Sequence, residues 1–302
     1  MEQLNAVEAV QRMQDYIESH LDESVTLKEL ACAARYSPYH CARLFRELTG
    51  KTPFHYLRLR RLTKAAMVLR DGRTRVIDVA FDFVFASHEG FTKAFSRQFG
   101  ISPMRYAKEA PPIRLFLPYG VLPYYRHIHK EEEANMEPMN TIFVQVVERP
   151  KRKALIKRGV RAEGYFEYCE EVGCDVWGVL LSVKEALYEP VGMWLPEDMR
   201  RPNTSEYVQG VELPLNYGKP VPDGLELIEL PPCKLMVFQG PSYDDEQFGS
   251  AIQTLWEQME RYDPKLYGYV WADDDGPRIQ LEPQGYRGYI EARPVREVNV
   301  GK

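Results

Sequence analysis

The first 110 residues of the chain carry the hydrophobic periodicity of amphipathic helices. Between Val7 and Ile17, apolar residues recur at three- and four-residue spacing, which places them in one stripe along a helix. Thr26, followed three residues later by Glu29, forms a capping box that begins a second helix. Similar start and stop signals follow at short intervals, so residues 1–110 are predicted to form an all-α domain.

The pattern changes after a proline-rich segment at 111–140, which we interpret as a connector. From residue 141 onward, apolar and polar residues alternate in short runs such as "TIFVQVVE", "KLMVFQG" and "GYIEARPV", which is typical of β-strands. Two helical stretches, near 163–188 and 244–262, interrupt these runs. Residues 141–302 are therefore predicted to form an α+β domain, which makes the chain a multidomain protein.

One short phrase occurs twice in the helical part, as "FRELTGKTP" and "FSRQFGISP". Each copy follows a small residue, Ala31 or Ala80, at which two helices can approach closely. Each copy also contains a Gly that can end a helix and a Pro that can begin the next one. A short helix, a tight turn and a longer helix form the outline of a helix-turn-helix motif, and the second turn has one extra residue. The alternative is a plain helical bundle.

The two motifs are joined by one predicted helix, "PFHYLRLRRLTKAAMVLRD", which at about 19 residues is roughly 28 Å long. This length is close to the pitch of the DNA duplex, so the second helices of the two motifs can enter successive segments of the major groove. Two motifs in tandem favour DNA binding over the plain bundle.

Residues 7–108 resemble the DNA-binding domain of the AraC family of bacterial transcriptional regulators. The resemblance rests on "SPYHCARLFRELTGKTPFHYLRLRRLTKA" and "IDVAFDFVFASHEGFTKAFSRQFGISPMRY". It implies a regulator, more often an activator, whose partners are double-stranded promoter DNA and RNA polymerase. One residue departs from the family pattern, because Val84 stands where a Gly is usual in the second turn. If that turn requires a positive φ, Val is sterically strained there.

The DNA-contacting residues are inferred by matching the exposed faces of the two recognition helices. Arg43 is suited to guanine and Glu89 to the amino group of cytosine, whereas Lys93 is equally suited to phosphate. The alternative for each residue is a solvated surface position. The expected DNA-binding residues are Tyr39, Ala42, Arg43, His88, Glu89, Gly90, Thr92 and Lys93. The expected core residues of the same helices are Leu44, Phe45, Phe91, Phe95 and Phe99.

Charge is distributed unevenly along the chain, whose net charge is −5. Residues 1–110 contain 17 Lys and Arg against 13 Asp and Glu, a net charge of +4. Residues 111–302 contain 22 against 31, a net charge of −9. A basic front part and an acidic back part are expected if only the front part meets a polyanion.

Several classes of protein are disfavoured by the composition. No run of 18 apolar residues is present, which excludes a membrane-spanning helix. The acidic N-terminus lacks the features of a signal peptide, so a cytoplasmic location is expected. The five cysteines form no CxxC pair, which disfavours zinc, and His127 and His129 are the weak remaining candidates for a metal site. We expect no metal and no cofactor.

The part from 141 onward is rich in Trp and Tyr, many of them near acidic residues, a combination suited to a hydrophobic cation. The order strand, helix, strand, strand occurs around 141–230 and again around 233–296. With "LPPCKLMVFQGPSYDDEQFGSAIQTLWEQM", this order resembles the GyrI-like effector-binding domain. The resemblance implies two β-α-β-β repeats around a ligand cleft that senses a small aromatic or cationic molecule, as in multidrug sensing.

The acidic residue of this cleft is inferred from a position at which this chain differs from the family pattern. Members of the GyrI-like family commonly carry Glu-x-Tyr on a late strand, and the corresponding stretch here is "IQLEP", with Gln280 and Glu282. On alternation, Gln280 and Glu282 share a face of one strand, and Tyr289 and Glu291 share a face of the last strand. The expected effector-binding residues are Trp177, Tyr269, Trp271 and Glu282. The alternative for each aromatic residue is a structural role in the core.

Two other functions are compatible with the sequence. A pocket Glu beside a Tyr can act in acid–base chemistry, so the GyrI-like part can be a small-molecule hydrolase. It can also be a protein-binding module attached to a constitutive DNA-binding domain. No Ser/His/Asp or Cys/His constellation and no nucleotide-binding fingerprint is identifiable, so we expect a ligand-responsive regulator and not an enzyme.

Overall fold

The computed structural model of the chain divides into two compact units. The first comprises Met1–Glu131 and Ser182–Lys184, and the second comprises Glu132–Leu181 and Glu185–Lys302. The structure describes residues 2–72, 74–118, 120–122, 125, 142–173, 175–244 and 247–298. His127, His129 and most of the connector at 111–140 lie outside the described residues.

The first unit is helical, as predicted. Most of its helices begin at a Ser or Thr cap, and several end at a residue in the left-handed conformation, which is why the chain turns so often. The helices are α1 (Glu2–Ser19), α2 (Leu27–Ala34), α3 (Pro38–Thr49), α4 (Pro53–Arg70), α5 (Val76–Asp82), α6 (His88–Phe99) and α7 (Pro103–Glu109).

The apolar stripe of α1 packs into the core of the first unit. The buried residues of this stripe include Val7, Val10, Met13 and Ile17. The side chain of Phe45 from α3 packs in the same cluster. Burial against α2 and α3 stabilises a helix that would be marginal in isolation, and it fixes the first helix-turn-helix motif on α1.

Helix α4 connects the two motifs through 18 residues, and most of its apolar side chains are buried. It also carries a largely buried cation, Arg60. The guanidinium group of Arg60 donates to both carboxylate oxygens of Glu18, at 2.5 and 2.7 Å, and to the carbonyl oxygen of Phe116 at 2.7 Å. A bidentate pair of this kind holds α4 against α1 with a defined geometry.

The second unit contains an antiparallel sheet in the order β1-β6-β9-β8-β3-β4-β2-β5, with β7 paired to β9. This confirms the predicted sheet-containing domain in its general class. The strands are β1 (Phe143–Arg149), β2 (Arg152–Arg158), β3 (Val191–Trp194), β4 (Tyr207–Leu213), β5 (Glu226–Leu230), β6 (Cys233–Gln239), β7 (Tyr269–Trp271), β8 (Arg278–Leu281) and β9 (Ile290–Glu297). The accompanying helices are α8 (Tyr165–Val172), α9 (Asp175–Leu181) and α10 (Phe248–Arg261).

The helical stretch predicted near 163–188 is wrong as a single element. It is two short helices, and the second ends at Leu181. The break lies at Gly173, whose φ of 99° is incompatible with a right-handed helix.

The centre of the sheet is tightly packed. Every residue of β4 is buried, and the neighbouring strand β3 contains Gly192. A Cβ atom at Gly192 would lie 2.2 Å from the hydroxyl oxygen of Tyr207, so Gly is required where that hydroxyl group crosses the strand. No helix in the described part of the chain is long and apolar enough to cross a membrane.

Candidate nucleic-acid interface and buried acid site

The turns before α3 and α6 share a left-handed residue and a hydrogen bond back to the preceding helix. Arg35 follows α2 with φ 60°, and the residue after it donates its N–H to the carbonyl oxygen of Ala31 at 3.2 Å. After α5, Val84 has φ 58°, and the next N–H donates to the carbonyl oxygen of Ala80 at 2.9 Å. The left-handed conformation at Val84 shows that this turn requires a positive φ, which costs a β-branched residue about 1–2 kcal/mol.

The extra residue of the second turn is Ala86. In the first motif Ser37 follows the turn directly, whereas Ala86 separates the second turn from Ser87. Both serines cap the following helix, because Ser37 Oγ accepts from the N–H of His40 at 3.4 Å and Ser87 Oγ accepts from that of Gly90 at 3.0 Å. The segment before each copy of the repeated phrase thus has the same order of helix stop, turn and helix start.

Helix α3 presents an aromatic and a cationic side chain to solvent. Tyr39 is 83% exposed, and Ala42 is half-buried. The exposed guanidinium group of Arg43 lies 3.7 Å from the carboxylate of Glu47 and 3.5 Å from Nδ1 of His40. Exposed pairs of this kind are weak, so Arg43 can exchange Glu47 for another anion.

Helix α6 presents a mixed surface. Glu89, Gly90 and Lys93 are exposed, whereas His88 and Thr92 are half-buried. The hydroxyl oxygen of Thr92 is buried, and it has no hydrogen-bond partner among the described residues. Thr92 therefore does not present its hydroxyl group to solvent in this arrangement.

The aromatic side chains on the inner faces of α3 and α6 form the core, as predicted. Phe45, Phe91 and Phe95 are fully buried. The half-buried ring of Phe99 lies 4.7 Å from that of Phe95, and Leu44 packs against the cluster around α1. These rings hold the recognition helices in place and are not available for stacking on bases.

The second unit contains a fully buried carboxylate, Glu291, in β9. Its Oε2 accepts from the hydroxyl group of Tyr289 at 3.0 Å and from Nε1 of Trp256 at 2.7 Å. Its Oε1 accepts from Nε of Arg278. A buried carboxylate is stable only with such donors and a countercharge.

Two tryptophan rings face the guanidinium group of Arg278, which is the cation paired with Glu291. The guanidinium carbon of Arg278 lies 4.9 Å from the centre of the Trp194 ring and 5.8 Å from that of Trp256. The sheet register explains the arrangement, because Arg278 is paired with Trp194 across β8 and β3, and Glu291 is paired with Gln280 across β9 and β8. The cluster of Trp194, Trp256, Arg278, Tyr289 and Glu291 is called the acid site below.

Two buried tyrosines, Tyr289 of the acid site and the nearby Tyr207, act as neutral hydrogen-bond donors. Burial raises the pKa of Tyr289 well above its ordinary value, and the adjacent Glu291 raises it further. Burial likewise raises the pKa of Tyr207, whose hydroxyl group donates to Oε1 of Gln280 at 3.2 Å. Both hydroxyl groups therefore keep their protons at neutral pH.

Residues 30–109 match a family of helix-turn-helix domains. The regulatory protein SoxS of Salmonella typhimurium is 32% identical over 97 residues, which are 32% of this chain and 91% of SoxS. The chain belongs to the AraC family. Its AraC-type DNA-binding domain is thus established in the part of the molecule that contains the two capped helices.

Other relatives match over a smaller share of their own length. The transcriptional regulator Rob of Salmonella typhimurium is 36% identical over 108 residues. The match spans 33% of this chain and 37% of Rob. The solved structure of SAV2435 bound to tetraphenylphosphonium covers 51% of this chain at 13% identity, with a TM-score of 0.35. At that score the likeness supports no conclusion about the second unit of this AraC-family chain.

The four predicted effector residues are spread over three places in the second unit. Trp177 is buried in α9. Tyr269 and Trp271 are in β7 and pack on the apolar cluster that includes residues of α10. Glu282 follows the end of β8 and accepts a hydrogen bond from Nε2 of Gln284 at 2.8 Å. Their role in effector binding stays a prediction.

The sequence did not reveal the acid site, although one signal was present. Tyr289 and Glu291 alternate on one face of the last strand, so a Tyr-x-Glu is present one strand after the position where Glu-x-Tyr was expected. The contribution of Trp256 depends on how α10 packs on the sheet, which no local pattern reveals.

Proposed function

We propose that this AraC-family protein is a transcriptional regulator that inserts α3 and α6 into successive segments of the major groove of promoter DNA. The observation that carries the proposal is the pair of serine-capped helices, each preceded by the same left-handed turn. The net charge of +4 over residues 1–110 favours approach to a polyanion. Activation and contact with RNA polymerase are further parts of the proposal, taken from the family resemblance.

The proposed DNA contacts differ in what they read. Arg43 is suited to bidentate contact with guanine, and Glu89 to the amino group of cytosine. Lys93 is suited to phosphate, which positions the protein without reading sequence. Thr92 has to turn its hydroxyl group outward before it can contact DNA. The proposed set remains Tyr39, Ala42, Arg43, His88, Glu89, Gly90, Thr92 and Lys93.

We also propose that the second unit is a GyrI-like effector-binding domain made of two β-α-β-β repeats. The strand order supports this, because exchanging β2, β3 and β4 with β6, β8 and β9 leaves the central six strands in the same order read from the other end. A helical segment follows β2, and α10 follows β6. The proposed effector is a small aromatic cation, for which Glu291 supplies a buried negative charge.

DNA binding is tested by titrating labelled upstream DNA with the full chain and with Arg43→Ala. We expect Arg43→Ala to weaken specific binding by about 5- to 150-fold, since a good bidentate contact is worth about 1–3 kcal/mol. Arg105→Ala is the matched control, because Arg105 is an exposed Arg paired with Glu109 on α7, outside both recognition helices. Equal losses in the two variants would contradict a reading role for Arg43.

Effector sensing is tested by repeating the DNA titration with a panel of aromatic cations. We expect a cation to change DNA affinity in the wild type and in Glu282→Gln, but not in Glu291→Gln. Each variant removes one carboxylate. The comparison therefore distinguishes Glu282, which was predicted from the sequence, from Glu291 of the acid site. If only Glu282→Gln loses the cation-dependent change in DNA affinity, the effector site lies at the residues predicted from the sequence and not at Glu291.

A further inference from the structure

The acid site combines the groups that recognise a cation, and the chain itself supplies the cation. Glu291 is fully buried, and the guanidinium group of Arg278 donates to it while lying near the rings of Trp194 and Trp256. A carboxylate combined with indole faces is a typical receptor for a delocalised cation. The guanidinium group occupies the place that a cationic ligand would take.

Arg278 is the member of the cluster that can leave. Its side chain is 37% exposed, whereas the Glu291 side chain is fully buried and is also held by Tyr289 and Trp256. An arginine stem can swing its charged end into water, where the charge regains its hydration, so the cost of the displaced state lies mainly in leaving Glu291 without a countercharge. Glu291 has no such route, since it lies in strand β9 between β6 and β8.

We propose that Arg278 is a built-in competitor, and that a cationic effector binds by displacing its guanidinium group from Glu291. This inference rests on the proposed effector function and identifies how the site selects its ligand. The ligand must be positively charged, because Glu291 would otherwise lose its countercharge. It must also have a flat, delocalised or aromatic surface, because Trp194 and Trp256 line the vacated place.

Competition lowers the apparent affinity of the ligand. Only molecules in which Arg278 is displaced are competent to bind, so the apparent dissociation constant rises as that fraction falls. Removing the guanidinium group should therefore tighten binding. A site without an internal competitor would show no such gain.

The test is direct binding of rhodamine 6G, an aromatic cation, to the full chain by fluorescence polarisation in the absence of DNA. We expect Arg278→Ala to bind it about 10-fold or more tightly than the wild type, because the competent fraction is no longer limited by Arg278. The double variant Arg278→Ala/Glu291→Gln should lose that gain. Fluorescein, which has the same xanthene ring system with negative charge, should gain nothing from the substitution.

Arg293→Ala is the matched control for removal of an Arg near a Trp. Arg293 lies in the same strand as Glu291, with its guanidinium carbon 4.3 Å from the centre of the Trp271 ring, and it pairs with Asp273. Its removal also makes the second unit more acidic by one charge. We expect its affinity for rhodamine 6G to stay close to that of the wild type. An equal gain in Arg293→Ala would attribute the effect to net charge and overturn the proposal.

A second measurement is needed because Arg278→Ala leaves Glu291 without its countercharge and can therefore be less stable than the wild type. Millimolar methylguanidinium should raise the melting temperature of Arg278→Ala by several degrees, with little effect on the wild type or the double variant. If Arg278→Ala does not fold, Arg278→Gln replaces it, because an amide can still donate to Glu291. No rescue in the folded variant would overturn the proposal.

The outcomes separate this inference from the proposed function. Equal affinity of Arg278→Ala and wild type for the cation overturns the displacement step, and leaves effector sensing intact if DNA affinity still responds. Tighter binding by Arg278→Ala with no effect of any cation on DNA binding supports displacement and overturns the sensor function. If neither the wild type nor Arg278→Ala binds the cation, the displacement step is overturned.

Discussion

Val84 is the residue at which local conformational preference and the required turn are most clearly in conflict. Its φ of 58° lies in the left-handed region, where a β-branched side chain is disfavoured. The side chain is 37% exposed, so its removal loses less packing than removal of a buried side chain would. The turn is retained because α5 and α6 are each held by their own buried contacts.

Replacing Val84 with Gly should therefore stabilise the protein. We expect Val84→Gly to raise the free energy of unfolding by about 1 kcal/mol, the relief of left-handed strain less the greater freedom of Gly in the unfolded chain. Urea denaturation measures the change. Arg35→Gly, at the equivalent position in the first turn, is the control and should gain less, because Arg is not β-branched. A lower unfolding free energy for Val84→Gly would show that the valine methyl groups contribute packing.

Tyr106 offers a second test at the residue scale. Burial raises its pKa to about 12, and its hydroxyl group has no hydrogen-bond partner among the described residues. Because the folded pKa exceeds the unfolded value of about 10, the associated stability is present below that value and is lost as the pH rises towards the folded pKa. Between about pH 9 and pH 11 the wild type should lose about 1 kcal/mol more unfolding free energy than Tyr106→Phe.

That comparison is made by urea denaturation at both pH values. Tyr106→Phe keeps the buried ring, so a large loss of stability at neutral pH is not expected. An identical pH dependence in the two proteins would mean that Tyr106 ionises in the folded state as readily as in the unfolded chain.

At the scale of elements, the serine caps determine where the recognition helices begin. Ser87 Oγ accepts from the N–H of Gly90 at 3.0 Å, a shorter contact than the 3.4 Å between Ser37 Oγ and the N–H of His40. The first turn of each helix carries residues proposed to contact DNA. Cap strength therefore bears on both stability and recognition.

Ser87→Ala should cost about 1 kcal/mol of unfolding free energy and weaken DNA binding by loosening the start of α6. Ser37→Ala is the matched variant and should cost less, given its longer contact. Urea denaturation and DNA titration on the same preparations measure both effects. A larger cost for Ser37→Ala would reverse the order inferred from the geometry.

The elements with local signals could be predicted from the sequence, and those that depend on register could not. The caps at Ser37 and Ser87 stand beside the helices that they begin, so the first unit could be predicted in detail. Gly173 divides a helical stretch that periodicity alone joins. The acid site is built from three strands and α10, so its members become neighbours only through pairings such as Trp194 with Arg278.

At the scale of the whole molecule, the first 110 residues have a net charge of +4 and the remainder a net charge of −9. Non-specific attraction to DNA should come from phosphate contacts made by the basic part and should fall steeply with salt. The acidic remainder limits such attraction elsewhere on the chain. Charge thus favours one orientation of approach.

Lys93→Ala should distinguish a phosphate contact, which positions the protein, from a base contact, which reads the DNA sequence. We expect it to weaken binding to specific and unrelated DNA by a similar factor, and to reduce the slope of log affinity against log salt by about 1. Arg43→Ala should instead reduce the preference for the specific site. Titrations at several salt concentrations distinguish the two, and a selective loss of specific binding in Lys93→Ala would assign it a reading role.

The single residue Ala86 has a consequence for regulation. Because it lengthens only one of the two turns, and because α3 and α6 carry different exposed residues, the two motifs are not interchangeable. We expect the operator to be directional, with a distinct front and back. Inverting that operator in a promoter would make the bound protein face away from the start of transcription, so orientation as well as spacing would decide whether the gene responds.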